Sequence, residues 1–158
     1  MTLTMTKLID QLKFEEGLRL DAYYCPAGKK TIGYGHNIDA NPYYHGSAIP
    51  DRITKQEAEA ILLHDIIDVE EELGSAWPAY HKITSHARQD ALVNMAFQMG
   101  VEGLMKFKRT LGHVERQQWQ QAYDCAMLSK WATQCPNRAI RVAGQLLKGV
   151  PYDVPVNS

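Results

Sequence analysis

The sequence contains no apolar run approaching the roughly 18 residues that crossing a membrane requires. Its first residues, MTLTMTKLIDQLKFEEG, lack the apolar core of a secretory signal. Membrane insertion is therefore not expected, and if the protein works beyond a membrane, something else must let it through. Cysteine is scarce. Cys25, Cys125 and Cys135 are an odd number without finger or ribbon spacing, which argues against a disulfide framework or a zinc module and fits synthesis in a reducing cytoplasm. The nearest two of the six histidines, His81 and His86, lie five apart, the wrong spacing for two ligands on one helical face. No metal is expected. Internal repeats, low-complexity segments and nucleic-acid-binding motifs are missing as well.

What is present is the composition of one compact domain, with 158 residues of which 45% are hydrophobic and 22% charged. The net charge is only -1, but it is unevenly placed. Residues 51–72 carry eight acids against two bases, and residues 104–148 carry eight bases against two acids. The acidic run reads as a solvated face, and the basic run as a surface able to attract an anionic polymer.

Leu8, Ile9 and Leu12 recur at helical spacing and Gly17 is placed to stop the helix, which predicts a first helix near 5–16. From Leu18 the period becomes two-fold in LRLDAYY, then CPAGK brings turn signals, and TIGYGH follows with strand-forming residues. This predicts a hairpin, with a third short strand before Asn41. Thr54 and Glu57 make a capping box, and the apolar spacing beyond them predicts a helix over 54–73, long enough to link two lobes. Further helices are predicted near 84–98, 102–111, 115–128 and 136–148. The expected fold is α+β and mostly helical: a small β-lobe over 18–53, the linking helix, and a larger helical lobe made of 1–17 and 74–158. A cleft is expected where the lobes meet.

Glu15 and Glu16 fall in the last turn of the first helix, where the helix dipole disfavours a carboxylate. That end favours the protonated carboxyl, the form a general acid needs. Residue type alone leaves two readings open, a catalytic acid or a pair of surface acids matched by Lys or Arg.

A resemblance carried by the following residues bears on the choice. Glu16, eight intervening residues, Cys25, five intervening residues and Thr31 lie within EEGLRLDAYYCPAGKKTIGYGH, and NMAFQMG (94–100) and QCPNRAIRV (134–142) follow downstream. Together these segments resemble the T-even phage lysozymes, glycoside hydrolase family 24, over nearly the whole chain. The resemblance implies a lysozyme-like fold and a monomeric endolysin that cleaves peptidoglycan without metal or cofactor. Glu16 would be the general acid, Cys25 would stand where Asp is usual, and Thr31 would hold or orient the attacking water, with inversion at the anomeric carbon. An ordinary thiol is mostly protonated at pH 7, and an ionised Glu16 would push Cys25 further up, so Cys25 is expected to position water rather than carry charge.

The resemblance also implies that Arg138 pairs with Glu16 and Arg141 with Glu15, that His36 and Asp65 form a structural ion pair, and that Gln98 and Trp131 share a hydrogen bond. Phe97, Thr110 and Asn37 would contact substrate, although Phe97 also suits a helix core. Cys125 stands where an Asn can contact sugar, and a thiol does not reproduce an amide. Gly33 and Gly35 read as hairpin geometry. Release from the host cytoplasm would need a holin-type lesion. Three other functions stay open: a lytic transglycosylase using Glu16 alone, an amidase using Cys25 and His36, and an inactive wall-binding module.

Overall fold

The computed structural model describes residues 3–155, an α+β fold with eight α-helices and five short strands among the described residues. They divide into two compact units. One is formed by residues 9–67, the other by residues up to Leu8 together with those from Asp68 onward, and each boundary falls within a helix.

In the first unit, α1 (Leu3–Glu16) ends at Gly17, which takes a φ of 71° and places its N–H 3.0 Å from the Lys13 carbonyl. A left-handed residue lets the chain leave a helix while one of its last carbonyls is still satisfied, and glycine does so without a Cβ clash. Next, β1 (Arg19–Tyr24), β2 (Lys30–Gly33) and β3 (His36–Asn37) pair antiparallel in that order. Beyond β3 lies a second hairpin that the sequence reading did not anticipate, β4 (Tyr43–Tyr44) with β5 (Ser47–Ala48). Strands of two residues are too short to display an alternation. Their turn, His45 and Gly46 at φ 50° and 76°, has the two positive φ values of a tight hairpin.

The capping box forms as expected: Thr54 Oγ1 accepts the Glu57 N–H at 3.1 Å, and Glu57 Oε1 accepts the Thr54 N–H at 3.0 Å. The helix it opens, α2 (Lys55–Ala76), ends at residue 76 rather than 73. Leu12, Ile32, Tyr34, Ile38, Ile53, Ala58, Ile61, Leu62 and Ile66 supply this unit's buried apolar side chains.

In the second unit a 3-10 turn (Pro78–Lys82) leads to α3 (His86–Met99), capped by Ser85, whose Oγ accepts the Arg88 N–H at 3.2 Å. Every residue from Asp90 to Ala96 is buried, so α3 forms the centre of the unit. Around it come α4 (Val101–Met105), α5 (Lys108–Glu115), α6 (Trp119–Met127), α7 (Lys130–Gln134) and α8 (Pro136–Lys148), with α8 packed on α3, α6 and α7.

Two expected helices are thus corrected. The one at 102–111 is broken at Phe107, whose ring turns edge-on to Trp131 at 6.3 Å. The one at 115–128 starts late, because Gln117 adopts a φ of 57°, in a turn where His113 Nδ1 and Arg116 Nε lie 2.7 and 3.1 Å from Gln118 Oε1. No described helix is long and apolar enough to cross a membrane.

Candidate active site

Glu15 and Glu16 close α1, both partly exposed, and β1 begins two residues beyond Gly17, at Arg19. The strand carries the chain to Cys25, where CPAGK reverses it into β2. Pro26 presets the first corner, and Gly28 takes a φ of 79°. The Gly28 N–H then meets the Cys25 carbonyl at 2.8 Å, and the Cys25 N–H meets the Lys29 carbonyl at 2.9 Å.

This turn corrects the expectation for the thiol. The Lys29 N–H holds Cys25 below the ordinary thiol value; desolvation opposes it, and the Ala27 N–H reinforces it. The expected upward push is reversed because the turn supplies donors that residue types do not reveal. Cys25 is therefore richer in thiolate near neutral pH than an ordinary cysteine. Thr31 is buried on β2, opposite Tyr23 of β1 and Asn37 of β3, and its hydroxyl donates to the Lys29 carbonyl at 2.9 Å. With that proton engaged, Thr31 offers its lone pairs to a neighbouring water.

A prediction arises here. In a background with Cys125 and Cys135 changed to Ala, iodoacetamide is expected to modify Cys25 with a pH midpoint below the roughly 8.5 of an ordinary thiol. The alkylated protein should lose most of its wall-clearing activity, whereas Cys25→Asp should keep a substantial part of it. Clearing at the untreated rate by protein that mass spectrometry shows to be alkylated at Cys25 would remove the cysteine from the site.

The same unit contains His36 and Asp65. His36 Nδ1 lies 2.6 Å from Asp65 Oδ2, and Nε2 lies 2.8 Å from the Asn41 carbonyl. Both partners only accept, so the ring carries protons on both nitrogens. Burial alone would lower the ring's pKa, but the Asp65 carboxylate and the Asn41 carbonyl outweigh it and hold His36 above its ordinary value. No nitrogen is left to serve Cys25 as a base, which argues against the amidase reading. The Asn37 side-chain oxygen accepts the Ala40 N–H at 3.1 Å, a turn contact within the chain.

In the second unit, Trp131 Nε1 donates to Gln98 Oε1 at 2.8 Å, and Gln98 Nε2 donates to Cys135 Sγ at 3.2 Å. Gln98, Trp131, Thr110 and Cys125 all line one cavity of about 710 Å³, with Phe107 and Met99 on its apolar wall. Phe97 is partly exposed, on the last turn of α3, and does not line that cavity. Arg138 is buried on α8 and donates through Nε and Nη2 to Asn94 Oδ1 at 3.1 and 2.9 Å. Arg141 follows three residues later, on the next turn of α8.

Two features escaped the sequence reading. Asn94 opens the NMAFQMG segment, yet nothing in its type marks it as the acceptor for an arginine 44 residues away. Asp90 is 8% exposed, and its Oδ2 has no hydrogen-bond partner among the described residues. Burial, then the nearby charge of Glu70, pushes its carboxyl up to about 7. Glu70 is itself engaged, accepting the Tyr80 hydroxyl at 3.0 Å.

Comparison with known proteins bears on these arrangements. The chain is 33% identical to the pre-baseplate central spike protein Gp5 of Enterobacteria phage T4, over 90% of its own length but only 28% of the spike protein. It is 31% identical to probable T4-type lysozyme 2 of Dictyostelium discoideum, covering 87% of this chain and 92% of that one. It is 30% identical to an endolysin of Salmonella phage P22, covering 82% and 84% respectively. The sequence model of the phage lysozyme family matches residues 13–150, from the last turn of α1 to just beyond the end of α8. With that match running through the glutamates, the Cys25 turn and the α8 arginines alike, this chain belongs to the phage lysozyme family.

Proposed function

We propose that the protein is an endolysin that hydrolyses the β-1,4 bond between N-acetylmuramic acid and N-acetylglucosamine in bacterial peptidoglycan during host lysis. Glu16 protonates the glycosidic oxygen as the bond breaks. Cys25 and Thr31 hold the attacking water: each presents an acceptor, the thiolate and the hydroxyl lone pair, and together they can take both protons of one water and aim its oxygen. The thiolate then receives the water's proton, completing an inverting displacement in which acid and base act from opposite faces of the sugar. The enzyme accumulates in the host cytoplasm and reaches the wall through a holin-type lesion.

The observation that carries this reading is that the Cys25 N–H and the Thr31 hydroxyl both meet the Lys29 carbonyl, each at 2.9 Å, in the hairpin that follows Glu16. Peptidoglycan as the substrate is supported by the family and by the endolysin relative. Mass spectrometry of fragments released from purified peptidoglycan tests the reaction. Free reducing ends are expected; 1,6-anhydro ends would mark a lytic transglycosylase using Glu16 alone, and no release at all would leave a wall-binding module.

A further inference from the structure

We propose that Gly35 is a positioning residue for Glu16, and that its missing side chain is what leaves the carboxyl in its working place. The inference rests on the reading of Glu16 as the general acid.

Gly35 is half of the two-residue connection, Tyr34 and Gly35, between β2 and β3. Its φ of 73° is a left-handed value that explains a glycine on backbone grounds alone. Its surroundings add a second reason. A Cβ built on Gly35 would fall on Glu16 Oε1, and would stand 3.1 Å from Cδ and 3.3 Å from Cγ. The glycine therefore abuts the glutamate along its outer half, from Cγ to the carboxyl oxygen.

The other left-handed glycines of this unit differ. Among the described residues, chain neighbours aside, Gly17, Gly28 and Gly46 have nothing within 4 Å of a built Cβ, and the atoms nearest to one on Gly33 belong to Ala58 and Ile53, at ordinary distances of 3.5 Å or more. Gly35 alone among them combines the backbone requirement with contact to a candidate catalytic group.

The group in the way is the far end of a flexible side chain, so an alanine at 35 can be accommodated by swinging the carboxyl aside. Fold stability then loses little beyond the left-handed strain that any of these glycines would suffer. The reaction loses much more, because a displacement of roughly 1 Å in a catalytic group costs about 100-fold in rate. Gly35 thus separates function from stability in a way that Gly46, on the β4–β5 turn at φ 76°, does not.

The test compares Gly35→Ala, Gly46→Ala and Glu16→Gln, measuring melting temperature together with kcat and KM for reducing-end release. Both alanine variants should melt lower by a similar amount, about 2–8 °C. Gly35→Ala should lose about 100-fold in kcat with KM within about three-fold, and Gly46→Ala should keep wild-type kcat. The proposal is overturned if the two alanine variants have equal kcat. It is equally overturned if Gly35→Ala melts far below Gly46→Ala or fails to fold, since the glycine would then be needed for the fold itself. Full activity in Glu16→Gln would instead bring down the assignment of the acid, a result distinguishable from either.

Discussion

Glu16→Gln is expected to reduce reducing-end release from purified peptidoglycan by about 10²–10⁴-fold. The amide matches the carboxyl in shape and can still hydrogen-bond to a glycosidic oxygen, but it has no proton to transfer when the bond breaks. The expected loss corresponds to about 3–5 kcal/mol of transition-state stabilisation, the usual range for one general acid. A variant that loses this much activity while still folded identifies a residue used for chemistry rather than required for the fold. Equal release by Glu16→Gln and wild type, both shown to be folded, would remove Glu16 from the mechanism.

The elements around this site were legible for specific reasons. The end of α1 was announced by Gly17, the hairpin by Pro26 and Gly28 between two strand-like runs, and the start of α2 by Thr54 and Glu57, because each relies on residue types that few other conformations demand. Helix ends governed by packing were not legible. Phe107 leaves helical geometry to meet Trp131, and Gln117 takes a left-handed φ with no glycine or asparagine to announce it. The site shows the same division. The spacing of Glu16, Cys25 and Thr31 can be read from the chain, but the state of the Cys25 thiol depends on where the Lys29 and Ala27 N–H groups point. Gly35 read as hairpin geometry, and it does serve the turn; its contact with Glu16 joins residues 19 apart in sequence and exists only once β2 and β3 have folded.

His36→Gln is expected to destabilise the protein by about 3–5 kcal/mol at pH 5.5, the usual result of removing one partner from a buried ion pair. His36 is 5% exposed and its Asp65 partner 16%, so little water remains to solvate the carboxylate left behind. The pH dependence gives the sharper test. With the folded-state ring held above its ordinary value, its contribution is fully present below the unfolded pKa of about 6.5 and is lost as pH rises through the higher folded value. Urea unfolding of wild type and His36→Gln at intervals between pH 5 and 9 should therefore give two stability curves that lie furthest apart at the acid end and converge toward the alkaline end. Convergence need not be complete, because a neutral ring can still donate one of its two hydrogen bonds, to Asp65 or to Asn41. A gap constant across the whole range would mean that His36 acts through packing alone. A gap widening with pH would mean that the folded protein favours the neutral ring, contrary to the two acceptors at its nitrogens.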